Sequence, residues 1–302
     1  MASIFKKKRM STGDVVFEMI TKFFAILVML VVLYPLLYVL SASISDPYAV
    51  ASGKMWLLPI DITFEGYERV LNYREVWLGY GNTVFYTVIG TLLALVVTLP
   101  AAYAMARPEF IGRGVLTVFI MITMFFSGGM IPTYLNIKSL GLLDTRMLMI
   151  ICGASQAYNL IVARTFFASL PGELVESGRM DGASNARVFV SIILPLSKPI
   201  IAVMVLYFGI SHWNDFMTPL IYLKTRELWP LQLFLKEILI QSQVSSEMGL
   251  DDSGVEFAMQ MQRIAQMVKY TTIVVSSLPM LVIYPFLQKY FVKGVMIGAV
   301  KG

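Results

Sequence analysis

Six stretches of this chain are long and apolar enough to demand a membrane. A helix crosses the hydrocarbon core of a bilayer with about 20 consecutive, mostly apolar residues. Residues 20–43, 83–105, 115–135, 147–166, 198–218 and 270–290 meet or approach that length, with 147–166 the weakest of the six. Inside lipid every backbone donor and acceptor must be satisfied within its own segment, so these stretches read as helices. The expected fold is an all-α integral membrane protein with six transmembrane helices. Composition agrees: 57% of the 302 residues are hydrophobic and 14% are charged, against about 25% charged in a soluble domain. The net charge of +5 does not point to nucleic acid, because the basic residues sit at the ends of apolar runs rather than in a stripe.

The basic residues also orient the spans, since Lys and Arg stay on the cytoplasmic side of short loops. Lys6–Arg9, Arg107 and Arg113, the 164–198 segment with Arg164, Arg179, Arg187 and Lys198, and the tail with Lys289, Lys293 and Lys301 all fall on one side. This predicts a cytoplasmic segment over 1–19, a six-span domain over 20–292 and a cytoplasmic tail over 293–302, in a multi-pass protein of the cell membrane. The run after Lys6–Arg9 is long enough to span and lacks a small-residue cleavage site, so no cleaved leader is expected. With one cysteine, Cys152, and one histidine, His212, neither an intramolecular disulfide nor a zinc-type ligand set is available. No phosphate-binding G-x-x-x-x-G-K-[ST] loop occurs, so the chain is expected to carry no nucleotide, cofactor or catalytic group of its own.

One cytoplasmic interruption stands out, ESGRMDGASNARVFVSIILPLSKP from Glu176 to Pro199. Pro171 and Glu173 suit a helix start. Asp181-Gly182 breaks that helix near Met180, and Asp181 or Ser184 can cap a second. Ala186, Phe189 and Ile193 would share its apolar face, and Pro195 and Pro199 would end it. Spacing alone fits a surface helix lying in the headgroups as well as a knob at Gly182-Ala183 that enters a partner's cleft. The residue order resembles the EAA loop of bacterial ABC importer permeases, here over about 169–197. Glu176, Asp181, Gly182, Ala183, Ile192, Leu194 and Pro195 match its pattern, while Ser177 and Gly178 stand where that loop has two alanines.

Further stretches, LPAAYAMARPEFIGR, GGMIPTYLNIKSLGLLDT, HWNDFMTPLIYL and YPFLQKYFVKGVMIGAVKG, are similar to the maltose-type carbohydrate permeases. The nearest resemblance is to the Gram-positive, lipoprotein-linked branch for complex oligosaccharides. That resemblance implies the type I importer permease fold, with the loop as a coupling helix in which Phe189 also takes part. It implies a second homologous permease, two cytoplasmic ATPases that bind ATP and Mg, an extracellular binding lipoprotein, and a glycine-rich tail contacting the ATPases through Gly298, Val300 and Lys301.

Polar residues inside spans are costly and face a cavity or a partner. Gln156 and Asn159 share a face of the fourth span, and Trp213, Asn214 and Asp215 cluster with Ser211 at the outer half of the fifth. Amides, a carboxylate and an aromatic ring suit a sugar, and they also suit helix–helix hydrogen bonding. Thr87, Thr91, Ala94 and Thr98 form a small-residue seam on the second span, and Gly128, Gly129 and Pro132 in the third fit either a gating bend or a static kink. An amino-acid or peptide importer and a stand-alone secondary transporter remain the competing classes.

Overall fold

The computed structural model describes residues 11–248, 263–265, 267–283 and 285, and among them it contains helices and no strand. In chain order the helices are α1 Thr12–Ser43, α2 Pro47–Ala51, α3 Glu65–Asn72, α4 Arg74–Ala106, α5 Arg113–Phe125, α6 Met130–Ser139, α7 Arg146–Ile151 and α8 Ala157–Ala168. They continue with α9 Glu173–Met180, α10 Asn185–Leu196, α11 Lys198–Trp213, α12 Met217–Tyr222, α13 Leu231–Met248 and α14 Arg263–Ile283. The chain divides into two compact units, residues 1–70 with 241–274 and residues 71–240 with 275–302.

In the first unit α1 is 32 residues long, and none of its most apolar window is buried. A helix apolar on every side with no protein cover is built for lipid or another chain. Its start reaches eight residues before position 20, because the Asp14 carboxylate accepts the Ser11 amide at 3.1 Å and caps the first turn. The end of α1 is fixed by a small core of Ala42, Val50 and Met55.

In the second unit α4 runs 33 residues and is the central helix. Its buried seam includes Thr91, Ala94 and Thr98, and these short side chains let neighbouring backbones approach. One core joins Ala94, Leu99, Ala102 and Met105 of α4 to Leu160, Ala163 and Phe167 of α8 and to Ile200, Met204 and Phe208 of α11. The same core takes in Val175, Val188 and Ile193 of α9 and α10.

Two stretches that read as continuous spans are broken. Residues 115–135 form α5 and α6, bent by 114° across Phe126–Gly129. The break falls at Gly129, whose φ of +84° excludes a helical turn; Pro132 lies inside the first turn of α6, where it is tolerated. Residues 147–166 form α7 and α8, separated by Cys152–Gln156, with Gly153 at φ +102°. The fifth span ends earlier than position 218: α11 stops at Trp213, and Asp215 Oδ1 accepts the Thr218 amide at 3.0 Å to start α12. The last helix is described to Ile283, so the stretch to 290 lies outside the described residues.

Candidate functional site

The EAA-like segment folds as two helices around a tight turn. α9 ends at Met180, and Ser184, rather than Asp181, caps α10 by accepting the Arg187 amide at 3.3 Å. Gly182 holds φ +75°, and a Cβ there would meet nothing within 4 Å. The glycine therefore answers to the turn's backbone; Gly182 is exposed, while the neighbouring Ala183 is half-buried against the core. Glu176 and Asp181 are exposed beside it.

The helix ends at Leu196, between Pro195 and Pro199 as expected, but Pro195 lies inside its last turn, after a π turn over Phe189–Ile193. The expected face of Ala186, Phe189 and Ile193 does not hold. Proline lacks the amide a regular turn would need and crowds the carbonyl four residues back; the wider turn, with the Leu194 amide bonded to the Phe189 carbonyl, accommodates both. The extra residue shifts the helix phase, so Ala186 is exposed, and the buried face is Val188 and Ile193 with Phe189 and Ile192 half-buried. α10 then meets α11 at 83° with only Ser197 between them. Ser197 is fully buried and its hydroxyl donates to the Ile193 carbonyl at 2.7 Å.

Gly178, where the EAA pattern has alanine, is a packing residue. A Cβ there would lie 2.9 Å from Ile192 Cδ1 and 3.0 Å from Val188 Cγ2, so its absence lets α9 and α10 close together. Tyr103 of α4 stacks on Phe189 at 4.9 Å, and the Arg107 guanidinium lies 5.9 Å from the Tyr103 ring centroid. Arg107 and Arg179 both donate to Glu109 Oε1, at 3.0 and 3.1 Å. Backbone and Arg107 hydrogen bonds hold the Glu109 carboxyl below its usual range. Nothing in the stretch around Glu109 points to Arg179; only the fold brings the two together, 70 residues apart.

The broken fourth span builds a polar rung. Asn159, 2% exposed, donates to Gln156 Oε1 at 3.0 Å, and Gln156 Nε2 donates to Ser211 Oγ at 3.2 Å. The structure thus joins the two clusters that the sequence placed on separate spans. His212 is clamped beside this rung: a Cβ on Gly90 would lie 2.6 Å from its Nε2, and one on Gly153 3.3 Å from its Cε1. Trp213 is buried, its indole N–H donates to the Ser276 carbonyl at 3.0 Å, and its ring stands edge-on to Tyr80. Asn214 is exposed and accepts from Gln232 at 3.5 Å. A groove of about 400 Å³ runs between Trp213, Asn214, Gln232, Ser276 and Ser277. Gly298, Val300 and Lys301 lie outside the described residues.

The α9–α10 turn is thus built into the core of a bundle of broken apolar helices. The family model "Binding-protein-dependent transport system inner membrane component" matches residues 76–297. The chain belongs to that family. It is 38% identical over 286 residues to the polygalacturonan/rhamnogalacturonan transport system permease protein YtcP of Bacillus subtilis, covering 95% of this chain and 98% of that one. It is 39% identical over 272 residues to protein LplC of the same organism, covering 90% of each. Among solved structures it resembles a bacterial ABC transporter involved in the import of the acidic polysaccharide alginate, with a TM-score of 0.81 and 36% identity over 93% of this chain and 99% of that one. As a member of this family the chain is an integral membrane permease subunit of an ABC transporter.

Within that permease two polar knots join residues distant in the chain. The Asp144 carboxylate accepts from the Thr225 hydroxyl at 2.6 Å and from the Lys224 and Thr225 amides, each at 2.9 Å. These bonds, the Thr225 hydroxyl first, hold its carboxyl below the usual range. Arg226 pairs with both Glu75 and Glu237 and lies 4.8 Å from the Trp229 ring.

Proposed function

We propose that this chain is one of two membrane subunits of an ATP-driven importer that carries an oligosaccharide delivered by an extracellular binding lipoprotein. The observation that carries the reading is the α9–α10 turn. Its back is anchored in the core of the spans through Val175, Val188 and Ile193, while Glu176, Asp181 and Gly182 stand exposed. A helix merely resting in the headgroups has no need of such anchoring.

In this reading α1, α4, α5–α6, α7–α8, α11 and α14 are the six spans, α9 and α10 lie on the cytoplasmic side, and both termini are cytoplasmic. Two partner ATPases bind ATP and Mg, and one docks on Glu176–Ala183. Its movement displaces α10, which the single residue Ser197 joins to α11, so the outer end of α11 moves with it. The pathway for the sugar runs past Gln156, Trp213, Asn214 and Asp215, with Asn159 orienting the Gln156 amide from behind. The tail, through Gly298, Val300 and Lys301, adds a second ATPase contact.

A carbohydrate is favoured over an amino acid or peptide by the sugar-directed relatives that match nearly the whole chain. The test is reconstitution of the whole complex in vesicles with Gly182→Asp or Glu176→Lys. The Gly182 position offers open space, so the spans should fold, while uptake of labelled oligosaccharide should fall at least tenfold, a loss of about 1.4 kcal/mol of coupling. Uptake at the wild-type rate in both variants would remove the docking assignment.

A further inference from the structure

The coupling-loop carboxylate Glu176 has a cation near it that it does not use. Arg179 follows it by three residues on α9, and side chains so spaced on a helix are neighbours, with Cβ atoms about 5–6 Å apart. An Asp or Glu with an Arg at that spacing ordinarily pairs. Here Arg179 is turned elsewhere: its Nη1 donates to Glu109 Oε1 at 3.1 Å and its Nη2 donates to Asn185 Oδ1 at 3.2 Å. Glu176 is exposed and makes no side-chain hydrogen bond or ion pair among the described residues.

Glu109 is itself held in place. Arg107 Nη2 donates to the same carboxylate oxygen at 3.0 Å, and Arg107 rests against Tyr103, which stacks on Phe189 of α10. The acceptor therefore stands on the short connection between α4 and α5 and is fixed to the helix that follows the turn. We propose that Glu109 is a positioning residue that sequesters Arg179 and so keeps the Glu176 carboxylate unpaired for a cationic group of the docking ATPase.

Loss of Glu109 frees Arg179 to swing back and cover Glu176. A partly exposed pair shifts such a population by about two- to fivefold, and the docking affinity falls by the same factor. A plain brace makes a different forecast. If Glu109 only stiffens the loop, removing Arg179 as well can do no good. If Glu109 acts by sequestration, removing Arg179 relieves the defect.

The proposal rests on the docking reading of the α9–α10 turn, and the experiment separates the two. The ATPase subunits that co-purify with the tagged wild-type permease pair are titrated onto the full complex stripped of them and reconstituted in vesicles. Glu109→Gln should weaken binding about two- to fivefold, and Glu109→Gln with Arg179→Gln should restore it to near the wild-type value. Arg179→Gln alone should bind at least as tightly as wild type. Glu176→Gln is the control for the underlying reading: no change there removes the docking assignment itself. If Glu176→Gln weakens binding but the double variant binds no better than Glu109→Gln, or Glu109→Gln binds normally, sequestration is wrong while docking stands.

Discussion

Gly90→Ala offers the clearest trial of the packing that holds the permease's central helices together. Gly90 lies mid-way along α4, where alanine is intrinsically the better helix former by about 1 kcal/mol. In open space the substitution would stabilise. Here the new methyl would stand 2.6, 2.7 and 3.1 Å from Nε2, Cε1 and Cδ2 of His212. The ring cannot retreat easily, because the backbone at Gly153 bounds its other side, where a Cβ would already meet Cε1 at 3.3 Å. Either α4 and α11 separate or the break between α7 and α8 shifts, and overpacking of this kind costs about 1–3 kcal/mol. An overpacking cost near 2 kcal/mol less the propensity gain leaves a net loss of about 1 kcal/mol, a fall of roughly 2–4 °C in the melting temperature of a domain this size. The assay is thermal unfolding of the detergent-purified complex, followed by loss of monodispersity. His212→Ala opens the clamp, so Gly90→Ala in that background should be neutral or stabilising, giving a coupling energy of about 2 kcal/mol in the double-mutant cycle. A Gly90→Ala protein as stable as wild type, or equal losses in both backgrounds, would refute the clamp.

Three other outcomes follow from the geometry. Asp144→Asn keeps a residue type that tolerates the φ of +57° at that position but loses an acceptor oxygen, and should cost about 1 kcal/mol given its partial exposure, measured by thermal unfolding. The folded carboxyl titrates below its unfolded value, so this contribution is complete above about pH 4 and is lost as pH falls through the folded pKa; the Asn variant should lack that portion of the acid profile. Asn214→Ala should lower oligosaccharide uptake with ATPase assembly unchanged, whereas Trp213→Phe, which deletes the bond to the Ser276 carbonyl, should lower stability by about 1 kcal/mol.

The apolar runs made the helical membrane architecture legible, because length and hydropathy are properties of single segments. The turn at Gly182 and the end of α9 were legible for the same reason: a glycine after an aspartate at a helix end is a local signal. What escaped depends on partners distant in the chain. Gly153 reads as an ordinary small residue in an apolar run until His212, 59 positions on, is packed against it. The Gln156–Ser211 bond needs two spans to meet, and the Arg179–Glu109 pair needs the α4–α5 connection to approach the α9–α10 turn. The π turn before Pro195 was in principle readable, since a proline inside an apolar helical period must either stop the helix or widen it. Which of the two happens is decided by burial of Val188 and Ile193 on the same core, and that is a tertiary fact.

The same π turn bears on how force could pass from the loop to the spans. A helix stopped at Pro195 would leave a loose joint before α11, and any displacement of the α9–α10 turn would be absorbed there. Instead α10 is helical to Leu196, α11 begins at Lys198, and the one residue between them is buried with its hydroxyl bonded back to Ile193. Val188 and Ile193 on one arm share a core with Ile200, Met204 and Phe208 on the other, so the 83° corner is packed on its inner side. Such a corner resists opening, because spreading the arms exposes apolar surface at about 25 cal/mol per Å². It therefore moves as a unit, and the element at its far end is the segment His212–Asp215, which carries Trp213 and Asn214 beside the groove. The α9–α10 turn and the groove are thus two ends of one packed, bent element, with His212 of α11 held close against Gly90 of α4 and Gly153 of the broken fourth span.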